Sequence, residues 1–299
     1  MEQYLPEGVG FSPTNFTYED LHAAMKNRTV LQALAVKCGE DHALHVDLGC
    51  TAGIIAREEA AIGIAEGQTR DIAILTRVGR PVCFHVTAIN DDGCVHLSRR
   101  SAQEDALHNI LYHCHAGQII PAVITNLTAF GAFCDIGCGV AALLPTQNIC
   151  VSRIAHAKDV FADSQLIRAV IQSLDRTAQR IVLSHRELLG TWAQNAAAFS
   201  SGQTVTGIVR SVCDYGTFIE LAPNLSGLAE TGELLEIGQA VSVYIKSIIP
   251  ETCKIKLVVL RKLDAETLPK KPLSYFITEE SISFWRYGSE SVPKVVTVF

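Results

Sequence analysis

The stretch CDYGTFIELAPNLSGLAE, Cys213–Glu230, decides how the whole chain is read, because its pattern occurs three times. TAFGAFCDIGCGVAALL spans Thr128–Leu144, and EDHALHVDLGCTAGII spans Glu40–Ile55. In each copy a short strand ends in an acidic residue, a tight turn follows, and an apolar strand returns. Two copies set rings around a glycine, as Phe130-Gly131-Ala132-Phe133 and Tyr215-Gly216-Thr217-Phe218. A unit that recurs along a chain means tandem domains of one kind.

Simple offsets extend the repeat outward. Asp47-Leu48-Gly49-Cys50 matches Asp135-Ile136-Gly137-Cys138 at an offset of 88, and Gly117-Gln118 matches Gly202-Gln203 at 85. Each unit closes on an apolar strand, Cys94–Ser98, Arg180–Ser184 or Lys254–Leu257. Alternation predicts that Ile219 and Leu221 face one way and Phe218 and Glu220 the other, with Cys134 and Ile136 likewise opposed to Phe133 and Asp135. Several short two-faced strands within about 70 residues predict a closed five-stranded barrel of the OB type. The expected fold is therefore dominated by β-structure: three tandem barrels at 27–99, 116–186 and 201–262, joined by short helices.

The connectors are 100–115 and 187–200. Ser101-Ala-Gln-Glu104 reads as a capping box, with Leu107, Ile110, Leu111 and Cys114 following at helical spacing. The second connector carries Leu188, Leu189, Trp192, Ala196 and Phe199 on one helical face. Residues 1–26, with Pro6, Gly8, Gly10 and Pro13, read as an irregular arm. The tail, 263–299, reads as a C-terminal hairpin or an augmenting strand.

A length of 299 residues alone suggests about two domains, so the repeat decides for three smaller ones. With 48% hydrophobic and 19% charged residues the chain can bury real cores. The net charge of −6 argues against a duplex-backbone binder, which needs a strongly basic surface. Its distribution is uneven: Lys/Arg against Asp/Glu runs 7 to 9 in the first unit, 6 to 4 in the middle one and 6 to 6 in the third. Only the middle unit is net positive. The ten cysteines form no CxxC. His113-Cys114-His115 and the Cys134/Cys138 pair have no second pair at zinc spacing, so no metal is expected. No leader-like segment and no run of roughly 18 apolar residues occurs. The expectation is a cytoplasmic protein with reduced thiols and no membrane partner. No phosphate-binding loop, metalloprotease-type motif or carboxylate cluster stands out, so no catalytic residue, cofactor or small-molecule substrate is expected.

Rings shown on the outer strand of a small barrel form a platform for stacking unpaired bases. Phe130 and Phe133 are three apart, so a regular strand would send them to opposite faces; a bulge at Gly131 is expected to bring both outward. Tyr215 and Phe218 repeat the arrangement around Gly216. Arg180 opens the closing strand of the middle unit five residues after Asp175, and Lys254 and Lys256 occupy the matching stretch of the third. These cations are expected beside the rings, against phosphates. Arg153, His156 and Lys158 add a basic rim to the middle unit.

The segments VDLGCTAGIIAREE, FGAFCDIGCGV, LSHRELLGTWAQNAA and TGIVRSVCDYGTFIELAPNLSGLAE, with YLPEG and RPVCFHV, resemble the bacterial small-subunit ribosomal protein S1 family, in its short clostridial form. The units resemble S1 RNA-binding domains over most of residues 1–262. That resemblance implies binding of single-stranded RNA, messenger RNA included, through two second-strand aromatics, a histidine after the third strand and an acidic–basic pair around the last hairpin. The middle unit supplies Phe130, Phe133, Asp175 and Arg180, with Pro145 at the histidine position. The third supplies Tyr215, Phe218 and Lys254, with Glu230 at the histidine position and Ile249 at the aspartate position. The first has His42, Ala43 and His45 where ring, glycine and ring are expected, and Ala56 at the histidine position. The resemblance further implies that the first unit docks on the small ribosomal subunit. The alternative is a scaffold or RNA-binding adaptor in RNA decay or transcription.

Overall fold

A computed structural model of the chain describes residues 4–13, 15–230, 235–263 and 273–299. Part of the expected arm (1–3 and 14), part of the third unit (231–234) and the start of the tail (264–272) lie outside the described residues.

The chain forms three closed five-stranded barrels. The first holds β1 Leu31–Cys38, β2 Leu44–Asp47, β3 Ala52–Ile55, β4 Pro81–Ile89 and β5 Val95–Ser98. The middle holds β6 Ile119–Leu127, β7 Gly131–Asp135, β8 Ala141–Pro145, β9 Leu166–Asp175 and β10 Arg180–Ser184. The third holds β11 Thr204–Cys213, β12 Gly216–Ala222, β13 Leu225–Ala229, β14 Ala240–Ile249 and β15 Lys254–Leu263. In every barrel the opening strand pairs antiparallel with the second and fourth, while the third runs parallel to the fifth. This is the OB arrangement. The opening strand slips register once each time, between Ala35 and Lys37, Ile124 and Asn126, or Val209 and Ser211. A bulge there bends the strand enough to serve both edges of the closing sheet.

Each barrel has its own apolar core, and the connectors complete the cores. Helix α1, Tyr18–Asn27, occupies a stretch expected to be irregular; Leu21 and Ala24 bury against the first barrel, and Thr17 and Asp20 form its capping box. Helix α2, Ile72–Leu75, lies within the first barrel's long β3–β4 crossing. Helix α3, Arg99–His113, starts directly at the end of β5. Its cap is Ser98, whose Oγ accepts from Ser101 N at 2.9 Å, and not the expected Ser101. Ala102, Ala106, Ile110 and Leu111 then bury in the middle barrel's core. Helix α4, Thr146–Ile149, follows β8. The second connector yields only the short α5, Trp192–Ala196, capped by Thr191. Leu189 belongs to the middle core while Trp192 and Ala196 belong to the third, so one continuous helical face cannot serve both.

The tail ends in a hairpin, β16 Phe284–Arg286 with β17 Val296–Val298. Before it, residues 275–282 run along the middle barrel, where Arg168 Nη1 and Nη2 donate to carbonyls of Ile277 and Glu279 and Ile119 N donates to Glu280 O. Trp285 and Tyr287 bury in the third core. The tail thus straps two barrels together.

Candidate nucleic-acid interface

The ring pair of the middle barrel is set where the β6–β7 turn meets the end of β8. Thr128 Oγ1 donates to Gly131 O at 2.7 Å, and Thr146 donates to Ala129 O through Oγ1 at 2.8 Å and to Phe130 O through its backbone N at 3.0 Å. Gly131 has φ +157°, and a Cβ there would meet Pro145 Cα at 3.0 Å and collide with the Leu144 carbonyl. Only glycine lets the two strands approach this closely. Phe130 is left in the turn ahead of the ladder, 61% exposed, and Phe133 is half-buried on the strand. Their rings meet edge to face, 5.9 Å apart at 85°. Tyr215 and Phe218 repeat this at 6.2 Å and 89°, with Tyr215 65% exposed and Gly216 at φ +151° under the Ala229 carbonyl. The expected bulge is not at Gly131: the β7–β8 register is unbroken, and the slip lies on the neighbouring β6. Phe130 escapes the alternation because it precedes the strand.

Ladder registers extend each ring into a row across the outer face. Phe133 pairs with Leu143, and Leu143 with Val182; all three are half-buried. Phe218 pairs with Leu228, and Leu228 with the exposed Lys256. Residues two apart on a strand share a face. Arg180 therefore lies on the same face as Val182, and Lys254 on that of Lys256. Arg180 is at the far end of its face, level with Ala141 and about 16 Å along the strands from Phe130 at ~3.3 Å per residue. Asp175 is its cross-strand partner, but its Oδ1 accepts from Thr177 N at 3.0 Å and Ala178 N at 2.9 Å. No ion pair joins the two among the described residues; Asp175 shapes the hairpin that presents Arg180.

The basic rim divides. His156 Nδ1 accepts from Lys158 N at 3.1 Å and caps a short helical turn, with Asp159 completing the box. Arg153 is exposed, lines a groove with Phe130, and lines a second with Tyr215 and Phe218. The acidic strand ends keep the expected alternation but are covered on that face. Asp135 and Glu220 are buried rather than solvent-facing. Asp135 accepts from Glu7 N at 2.7 Å and from Gly137 N and Gly139 N at 2.9 Å each; burial and the Glu7 charge push its carboxyl up to about 7. Glu220 pairs with Arg210 at 2.9 Å, and Arg210 also reaches Asp159 across the barrel junction at 3.5 Å.

The first barrel has the same frame with different contents. Its row is His45, Ile54 and His96. The positive φ of the turn sits on His42, at +62°, rather than on the next residue, and the His42 imidazole stands 3.4 Å from Asp71. Cys94 occupies the place of Arg180 and Lys254.

Other participants escaped sequence reading. Leu143, Val182 and Leu228 fill the rows, and only strand register identifies them. Lys246, with Leu228, Lys256 and Glu230, lines a groove of the third barrel. Lys294 of the tail lines the groove of Tyr215 and Phe218, and nothing in its local sequence signals that position.

Residues 114–186, the middle barrel, match the family described as the S1 RNA binding domain. The chain is similar to the small ribosomal subunit protein bS1 of Staphylococcus aureus, 29% identical over 204 residues, covering 62% of this chain and 52% of that protein. It is also similar to bS1 of Rhodopseudomonas palustris, 30% identical over 171 residues, covering 55% of this chain and 30% of the relative. A multidomain protein with nucleic acid binding domains from Streptococcus pneumoniae is a structural neighbour at 13% identity and a TM-score of 0.24, over 78% of this chain and 73% of that one. The chain spans about half the length of the Staphylococcus relative it matches.

Proposed function

We propose that the chain is a non-enzymatic, cytoplasmic protein of translation that binds single-stranded RNA, messenger RNA included, at the small ribosomal subunit. Bases stack on Phe130 and Phe133 of the middle barrel and on Tyr215 and Phe218 of the third. Arg153, Arg180, Lys254 and Lys256 contact phosphates, while His156 and Asp175 hold the loops that present them. The observation that carries this reading is the recurrence of one edge-to-face ring pair, its first ring exposed and its second half-buried, at the same place on two barrels, one of which matches the S1 RNA binding domain. Stacking tolerates any base and needs little net positive charge, which suits an acidic chain. Its test is an anisotropy titration with a labelled oligouridylate. Replacing all four rings with alanine should cost roughly 1–3 kcal/mol per lost stack, and an unchanged curve removes the assignment. A duplex of equal length should bind more weakly.

The first barrel, with histidines in place of phenylalanine or tyrosine on its face, serves in this reading as the docking unit for the ribosomal subunit. Aspartate at His45, Ile54 and His96 together should abolish co-sedimentation with small subunits while RNA affinity persists. Retained co-sedimentation would favour the second reading, an RNA-binding adaptor in RNA decay or transcription, for which the same face binds a different protein.

A further inference from the structure

The grooves beside the two ring pairs are not separate. Phe130, Thr146 and Val295 line one, Tyr215, Phe218 and Lys294 line the other, and residues 151–153 form the wall they share. That wall is fixed to the third barrel. Val151 N donates to Asn224 Oδ1 at 2.9 Å, Ser152 N to Pro223 O at 3.2 Å, and Ser152 Oγ lies 2.9 Å from Ser226 Oγ. The tail closes the junction from the other side. Tyr287 Oη donates to Asn224 O, Thr297 Oγ1 to Glu187 Oε1 at 2.8 Å, and Lys294 Nζ to Cys253 O at 2.6 Å. Arg153 has no hydrogen bond or ion pair among the described residues, although it stands between two aromatic ledges. Lys294 spends one of its three N–H donors on Cys253 and keeps two.

We propose that this junction is a phosphodiester-binding subsite, in which Arg153 and Lys294 hold the backbone of one single strand as it passes from Phe130 to Tyr215 and Phe218. The two barrels then read one continuous strand. The inference rests on the RNA-binding reading above and deepens it, because the tail becomes part of the site. Two ledges held in fixed relation share a ligand at high effective concentration, so a strand long enough for both binds far more tightly than one that reaches only one.

The experiment uses the full chain and labelled oligouridylates of about 6 and about 16 nucleotides, lengths chosen from the ~4–16 nucleotides that one such barrel covers. The longer should bind at least about tenfold more tightly. Arg153→Glu with Lys294→Gln should remove at least about tenfold of the long oligomer's affinity and flatten its logarithmic salt dependence by ~1.4, about 0.7 per phosphate contact. The short oligomer, which reaches one ledge and at most part of the junction, should lose less affinity than the long one. Lys294→Gln keeps a donor for Cys253 and Arg153 has no partner to lose, so the melting temperature should hold. If it falls, Arg153→Gln alone carries the test, with about half the change in slope. Equal affinity for both lengths, or a variant that binds the long oligomer with an unchanged slope, overturns the inference. If the four-ring alanine variant loses RNA while the Arg153/Lys294 variant does not, only the junction subsite fails. If the ring variant keeps full affinity, the RNA-binding reading fails and takes the subsite with it.

Discussion

The first barrel and its two successors share strand order, ladder register and the opening-strand bulge, yet present different faces to solvent. Where the middle barrel shows Phe133, Leu143 and Val182, the first shows His45, Ile54 and His96 at the same ladder positions. The inward residues are interchangeable in kind: Val46 and Ile55 fill the place that Cys134 and Leu144 fill next door. The frame therefore depends on inward apolar residues, and the outer face is free to take another task. The junctions differ as well. The first barrel joins the middle one through a buried ion pair from the arm, Glu7 with Arg99 at 2.6 Å, with Arg77 at 3.5 Å beside it. The middle barrel joins the third through hydrogen bonds, the longer Arg210–Asp159 ion pair at 3.5 Å and the tail.

The largest effect should come from breaking the arm's pair. Glu7→Ala leaves Arg99 buried without its carboxylate, at a cost of about 3–5 kcal/mol, read as a loss of denaturant stability for the first two barrels. RNA affinity should stay within about twofold, since the loss of one barrel contact leaves the ~1–3 kcal/mol stacks untouched. A parallel loss of affinity would mean that the first barrel takes part in reading, and would erase the contrast.

The two junctions should also respond to pH with opposite sign. His185 is buried, contacts Ile149 O at 3.0 Å and the tail's Tyr275 Oη at 3.2 Å, and burial pushes its imidazole down to about 4. The unfolded chain therefore takes up this proton first. Stability is full above the ordinary value of 6.5 and is lost as pH falls toward 4. The total is about 3 kcal/mol, and proteolysis of the tail should accelerate across that window unless His185→Gln is present. Asp135 runs the other way, because its carboxyl is raised by burial and by the charge of Glu7. Its contribution is full below the unfolded value of 3.8 and is lost as pH rises through about 7, which loosens the arm. Hydrogen exchange that reports both junctions opening at the same end of the pH range would refute the assignment.

A smaller effect separates the hairpins. Gly131→Ala puts a Cβ against the Leu144 carbonyl and should cost about 2 kcal/mol of middle-barrel stability. Ala43→Gly, at the matching place in the first barrel, should cost less than about 1 kcal/mol, because His42 already carries the left-handed angle there.

What the sequence disclosed follows from range of interaction. Strand alternation, repeat offsets and the ring–glycine–ring pattern are local, so the barrels and Phe130, Phe133, Tyr215 and Phe218 could be read directly. The burial of Asp135 and Glu220 could not, because it depends on the arm and on Arg210, which lie 128 and 10 residues away. The capping role of His156 could not be read either, because that geometry exists only once the loop is folded. The partition of Leu189 and Trp192 between two cores, and the arrival of Lys294 beside Phe218, are set by packing across the chain.

The most demanding comparison is to give the first barrel the missing groups. His42→Phe, Ala43→Gly and His45→Phe restore the ring–glycine–ring order, and the row partner Ile54 is already as apolar as Leu143. The ring introduced at position 42 must leave the left-handed turn that now directs His42 to Asp71, which glycine at 43 permits by accepting the positive φ itself. The closing strand offers no lysine or arginine to this face, since Cys94 and His96 stand where the third barrel has Lys254 and Lys256; the exposed Lys37, cross-strand partner of His45, lies on the opening strand instead. The ring graft alone should therefore raise affinity for a long oligouridylate by less than about 1 kcal/mol, and adding Cys94→Lys and His96→Lys should bring the gain to roughly 1–3 kcal/mol. Photocrosslinking followed by peptide mapping should then find RNA on residues 42–54. If the variant with all five substitutions folds, keeps its melting temperature and still leaves the first barrel uncrosslinked, rings and cations at these positions do not suffice to make a reading face, and the same positions in the middle and third barrels lose their explanation.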